Sequence, residues 1–233
     1  AQEKKADAPK PAAALPTVDE ILDKHVKAVG GKEAIEKVTS RVEKGTFEMP
    51  TFGVSGSIET YAKAPNKRAM FIDLGGVGKA ENVFDGTKGW ASNPQSGLHE
   101  QTGGELDATK RQADLHGDLK IKSHYTKMEV KGKEKVGDAE AYVIEATPSK
   151  GKPEKLYFDA SSGLLVRLDI EVESEQGSLA LQIFTEDYKP VDGVKVPHTI
   201  RQVSEAFSMT IKYTDVKQNV TVDDAKFNKP SGN

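Results

Sequence analysis

From Arg41 onward the chain alternates apolar and polar residues with a period of two, and no other feature restricts its fold as much. Leu164, Val166, Leu168, Ile170 and Val172 alternate with Arg167, Asp169, Glu171 and Glu173. Successive side chains of a strand point to opposite faces, so such a run buries one face and wets the other. Leu179, Leu181 and Ile183 repeat the pattern, as do Val194, Val196, His198 and Ile200. Phe207, Met209, Ile211 and Tyr213 oppose Ser208, Thr210, Lys212 and Thr214, and Val54, Ile58 and Ala62 oppose Ser55, Ser57, Glu59, Tyr61 and Lys63. Doubly buried parallel strands would read as unbroken Val/Ile/Leu runs, and none is present. The breaks at Ala64 to Asn66, Asp85-Gly86, Gly137-Asp138, Ser162-Gly163 and Asp192-Gly193 are hairpin-like, because Asp-Gly supplies the positive φ of tight turns. They divide the pattern into about ten or eleven strands with antiparallel neighbours.

Two helical segments accompany the strands. Thr17 followed by Glu20 forms a capping-box signature, and Val18, Ile21, Leu22, His25, Val26 and Val29 share one face at helical spacing. Gly30-Gly31 marks its end, and Glu33 to Val38 adds a further short turn or helix. His25 belongs to this apolar face and reads as a packed structural histidine. A second helix is predicted over Glu105 to Leu119, after a turn-rich stretch from Asn93 to Gly104. Residues 1–16, rich in Ala, Lys and Pro, read as a flexible leader or tether, and residues 17–233 as one β-rich domain. The first residues, Ala1-Gln2-Glu3, fit a mature exported product.

Composition narrows the chemistry. The 33 Lys and Arg against 36 Asp and Glu are interspersed, leaving no basic face for nucleic acid. No apolar run is long enough for a transmembrane helix. The absence of cysteine removes disulfides, thiol nucleophiles and covalent haem attachment. The five histidines form no H-E-x-x-H motif. His116 and His124, with Asp114 or Asp118, are the one grouping near a metal site, and ordinary polar surface accounts for them better. Gly75-Gly-Val-Gly-Lys79 lacks the spacing and following Ser/Thr of a phosphate loop and leads into a strand, so it reads as a loop between strands. No catalytic residue, cofactor or metal is expected, and the chain reads as a protein that is not an enzyme.

What remains is apolar sheet surface. Two short helices are too small to cover ten strands, and a partly plugged sheet leaves a concave apolar space suited to a small molecule or lipid. Met49, Phe52, Phe71, Phe84, Trp90, Phe158, Phe207 and Met209 are the candidate lining residues. Taken singly, each is better explained as packed core.

The order of elements carries a resemblance. A leading helix ending in Val29-Gly30-Gly31, a long antiparallel meander and a helix inserted after the fifth strand resemble the lipoprotein-carrier fold of LolA, LolB and related mycobacterial lipid-binding lipoproteins. Leu74 to Gly86, Pro153 to Asp159 and Glu186 to Pro197 also resemble segments of exported proteins from soil Acidobacteria. Some of these are described as outer-membrane lipoprotein-sorting proteins and others as reaction-centre cytochrome c subunits; a haem domain is absent from this chain. The resemblance spans about residues 17 to 230 and implies a mainly β, α+β fold: an incomplete antiparallel β-barrel wrapped round two or three helices. It further implies a periplasmic binding or carrier protein whose hydrophobic cavity takes a lipid, an acyl chain or an acylated protein. An inward arginine controls release in LolA, and Arg68 is the strand arginine put forward for it here. The competing expectation is a cell-envelope structural domain that binds a protein partner and no small molecule.

Overall fold

Thr17 caps the first helix as its sequence predicts. In the computed structural model, which describes residues 14–174 and 177–231, the Thr17 hydroxyl accepts from Glu20 N at 3.2 Å while Glu20 Oε2 accepts from Thr17 N at 2.7 Å. Helix α1 (Val18–Val29) buries Ile21, Leu22, His25 and Val29. It must end at Gly30, whose φ is 135° and where a Cβ would stand 2.3 Å from Gly193 O. A short helix, α2 (Lys32–Glu36), buries Ile35. Most of the leader predicted for residues 1–16 lies outside the described residues.

The strands then follow in two runs. The first is β1 (Ser40–Met49), β2 (Val54–Lys63), β3 (Lys67–Asp73), β4 (Lys79–Phe84), β5 (Gly89–Asn93) and β6 (Gly97–Glu100). After helix α3 (Gly103–Ala113) come β7 (Tyr125–Val136), β8 (Ala139–Pro148), β9 (Glu154–Asp159) and β10 (Leu165–Ser174). The second run closes with β11 (Gly177–Val191), β12 (Val194–Val203) and β13 (Ser208–Gln218). All belong to one antiparallel sheet, in the order β6-β5-β4-β3-β2-β1-β13-β12-β11-β10-β9-β8-β7. Each run is a hairpin meander, and the pairing of β1 with β13 joins them at the centre. The edges are thus β6 and β7, the two strands that flank α3 in sequence. The sheet stays open, and α3 sits at the opening.

Three expectations need correction. There are 13 strands instead of about ten or eleven. The difference lies partly in β5 and β6, five and four residues long, which flank the Asn93–Gly97 turn. That turn is built by Asn93 Oδ1 accepting from Gln95 N and Ser96 N, both at 2.9 Å. The central helix follows the sixth strand, not the fifth, and it stops at Ala113, not Leu119. Asp114 is extended, and its side chain accepts from His116 N, so residues 114–124 become short 3-10 turns instead of further α-helix. Gly75–Val77 forms a tight turn between β3 and β4, in keeping with the loop expected there.

The helices pack on one face of the sheet. Ile21 and Leu22 of α1 meet Ile144, Ala146, Leu156 and Phe158, and Val29, Ile35 and Val38 meet Val194 and Val196. On the opposite face, the C-terminal segment lays Val222 and Phe227 over Tyr61, Ala69, Val83 and Trp90. Asp224 fixes that segment by pairing with Lys63 (3.1 Å) and Lys67 (3.0 Å).

Candidate functional site

Strand register brings together the residues of the helix-bearing face near the centre of the sheet. Arg41 stands opposite Ala62, which stands opposite Arg68, while Glu43 stands opposite Thr60. Across the β1–β13 seam the same face continues as the aliphatic residues Leu168 and Ile170 of β10 and Ile183 of β11. Between these walls, α3 and residues 114–124 leave a cavity of about 340 Å³. That lies at the lower end of the volumes common for small-molecule sites. One wall is aliphatic, with Leu156, Leu165, Leu168, Ile170 and Ile183; the facing wall carries Arg41, Glu43, Thr60 and Arg68.

The α3 side is closed by a buried ionic cluster. Arg111 Nη2 lies 2.5 Å from Glu154 Oε1, and the Tyr125 hydroxyl donates to Glu154 Oε2 at 2.6 Å. Glu154 is 7% exposed. Burial, reinforced by the neighbouring Glu154 carboxylate, pushes the Tyr125 phenol far above its usual range. The cluster links α3 to β9 and β7, and Ser149 Oγ donating to Asp107 Oδ2 at 2.9 Å adds a second tie to the same half of the sheet. At its other end α3 meets the first half, where Leu106 packs close to Gly89. A helix with few apolar residues is therefore held across the open sheet mainly by polar contacts.

The floor is polar as well. Both ring nitrogens of buried His25 face oxygens: Nδ1 is 3.1 Å from Gly163 O and Nε2 is 3.2 Å from Asp118 Oδ1. Burial opposes ionisation of Asp118, but the His25 hydrogen bond and the charges of His25 and Arg41 hold its carboxyl below the ordinary value. Asp114 is likewise held low, burial being outweighed by Lys120 at 3.0 Å and by contacts with His116 N and His124. His116 Nε2 is spent on Val38 O at 2.8 Å. Among the described residues no group of three or more His, Asp or Glu could hold a metal ion.

The two free-standing arginines of the charged wall differ. With the Gln218 amide nitrogen donating to Val191 O, its oxygen accepts from Arg41 Nε (3.1 Å) and Nη2 (3.0 Å). Arg68 has a sulfur contact alone, with Nη2 3.9 Å from Met70 Sδ; among the described residues no carboxylate comes within ion-pair distance of it. Beside it the Tyr213 hydroxyl shares a hydrogen bond with Thr60 Oγ1 at 3.2 Å. Burial, with the Glu43 charge second, pushes the Tyr213 phenol up to about 12.

The eight residues expected to line a cavity lie apart from this one. Phe71 and Trp90 are on the opposite face, in the cluster under Val222 and Phe227. Phe84 is fully buried opposite Arg68, on the helix-bearing face. Phe158 is fully buried beneath α1, its ring 5.1 Å from that of His25. It also borders a smaller cavity of about 230 Å³ between the start of α1 and β8–β9. Met49 and Met209 pack beside Phe47, Ile58 and Ile211. Phe52 is exposed at the turn after β1, and Phe207 is half-buried at the β12–β13 turn. Size and aromaticity select residues that fill space, whereas the larger cavity is bounded by mid-sized aliphatics and charges. A signal for part of its wall was present: Leu168 and Ile170 belong to the clearest alternation in the chain. Arg41 and Arg111 resemble any other surface arginine until register and packing turn them inward, whereas Arg68 was named through the resemblance alone.

No protein-family model and no curated protein sequence matches the chain. Solved structures do. A DUF1329 family protein from Desulfovibrio piger superposes with a TM-score of 0.63 at 16% identity, over 91% of this chain and 97% of that one. A LolA superfamily protein from Nitrosomonas europaea gives 0.59 at 16% identity, over 92% and 99%. The fold of this chain is LolA-like. A domain described as an outer membrane lipoprotein-sorting protein, from Vibrio parahaemolyticus, gives 0.58 at 12% identity, over 89% and 97%. At these identities the likeness is one of fold. It agrees with the open 13-stranded sheet and its helix-bearing face, and the LolA-like sheet here is bridged by α3 without closing into a barrel.

Proposed function

We propose that this LolA-like chain is an exported, periplasmic binding or carrier protein whose central cavity holds a lipid, an acyl chain or the acylated end of a lipoprotein. The observation that supports it is the cavity of about 340 Å³ that lies between α3 and the sheet and is walled on one side by Leu156, Leu165, Leu168, Ile170 and Ile183. Burying about 300 Å² of acyl surface there contributes roughly 7–8 kcal/mol of gross transfer free energy, before the costs of association. The polar cluster holding α3 suits a closure that must open, since its bonds can be exchanged for water without exposing a large apolar face. The LolA-like neighbours, one of them described as a lipoprotein-sorting domain, support the exported location and the carrier role. No step of this role needs bond chemistry, a metal or a cofactor.

The test is native mass spectrometry of the full chain purified without detergent, followed by solvent extraction and titration with a neutral fluorescent acyl probe. Co-purifying lipid, or saturable one-to-one probe binding that Ile183→Phe abolishes, is the expected result. An empty protein with no saturable binding would overturn the reading and leave the alternative, a cell-envelope domain that engages a protein partner and no small molecule.

A further inference from the structure

We infer that the cavity selects single-chain amphiphiles with an anionic headgroup, a carboxylate or a phosphate monoester, and that Arg68 is the residue that recognises the head. The inference rests on the cavity reading above and goes further by naming the ligand's charge and where it sits.

Three observations lead to it. First, the cation inventory of the site leaves one without an anionic partner. Arg111 is neutralised by Glu154 at 2.5 Å, and Arg41 is hydrogen-bonded by Gln218 and lies in the field of Asp118. Arg68 meets just the weak acceptor Met70 Sδ at 3.9 Å. One of its N–H groups meets that sulfur, and a carboxylate or phosphate can accept from the others in bidentate geometry.

Second, its surroundings supply the remainder of a head site. Thr60, opposite Met70 on β2, and Tyr213 offer a pair of hydroxyls whose mutual hydrogen bond can be redirected to an anion. With Tyr213 held protonated to about 12, it stays a donor throughout the physiological range. Glu43 is the opposing feature, since its carboxylate shares the wall and disfavours a second negative charge.

Third, the aliphatic wall begins across the seam, so a head on Arg68 leaves its tail against Leu168, Ile170 and Ile183. The volume of about 340 Å³ fits one chain and not the several acyl chains of a multiply acylated anchor.

The experiment measures displacement of N-phenylnaphthylamine from the full chain by dodecanoate, dodecyl phosphate and dodecanol, which share one tail. Both anions should bind about tenfold or more tightly than the alcohol, because hydrogen bonds to a charged partner carry that much discrimination. Arg68→Met should erase the preference while leaving dodecanol affinity within about twofold, and Arg68→Lys should keep part of it. Glu43→Gln should strengthen both anions and leave the alcohol unchanged. A preference for one anion separates the carboxylate from the phosphate source. If dodecanol binds as tightly as the anions, or if Arg68→Met weakens all three equally, the head assignment is overturned and the cavity reading stands. If none of the three displaces the dye and the dye itself fails to bind, the cavity reading falls with it.

Discussion

The sheet is roofed twice on the same face, and the two roofs differ. Under α1 the contact is apolar and closely packed apart from the smaller cavity at the start of the helix: Ile144, Ala146 and Phe158 are 0% exposed, and Ile21 and Leu22 press on them. Under α3 the contact is charged and incomplete, with Arg111, Glu154 and Tyr125 on one side, Arg41 and Arg68 on the other, and a cavity between. The strands below are alike in geometry. The difference comes from the helices: α1 buries Ile21, Leu22 and Val29 beside His25, whereas α3 buries just Thr109 and Ala113. An amphipathic helix seals a sheet; a polar one spans it and leaves room.

That contrast can be broken by substitution, beginning where the effect is largest. Phe158→Ala removes a fully buried ring from the α1 contact and should cost about 3–5 kcal/mol in chemical denaturation. Next, Glu154→Ala strands the Arg111 charge beneath α3 and should cost about 3 kcal/mol, with most of the loss recovered in the Arg111→Met/Glu154→Ala double variant. If the single variant were silent, α3 would not depend on that pair. A matched insertion sharpens the comparison further. Ile144→Phe overpacks the α1 side at about 1–3 kcal/mol, whereas Ile183→Phe grows into the cavity and should cost less than about 1.5 kcal/mol. Equal costs would mean that the two roofs are packed alike. Thr17→Ala removes the α1 cap and should lower stability by about 1 kcal/mol.

The smallest effect concerns acid. Asp118 is held below its ordinary value in the folded chain, so its contribution is present above the unfolded carboxylate value and is lost as pH falls through the folded one. The stability gap between the wild type and Asp118→Asn should therefore be full near neutral pH, begin to shrink below about pH 4 and vanish only once pH has fallen past the lower folded-state value. A gap that instead widened in acid would assign the His25–Asp118 contact the wrong sign.

Most of the secondary structure was legible. The alternation at Leu164 to Val172 became β10 and the Thr17–Glu20 box became the start of α1, because both signals are local. Misreadings arose where local signals were weak: β5 and β6 are too short to show a period, and Asp114 ends α3 through a side-chain bond no pattern announces. The facing of Phe71 and Trp90 was also out of reach. Tyr61, Ala69, Val83 and Trp90 stand in register on the face away from the helices, and a C-terminal segment more than a hundred residues after Trp90 hides them there.

The sequence by itself determined that this chain would form antiparallel strands with one wet and one buried side, led by a capped amphipathic helix. Period, turn residues and caps act within a few positions and need no distant partner. Tertiary structure alone decided that the chain's two meanders would meet at β1 and β13, and that α3 would land over the gap between β6 and β7. It alone aimed Arg41 and Arg68 into the space left beneath α3. Those outcomes depend on pairings between segments up to 180 residues apart, and the energy of such a pairing belongs to both partners at once.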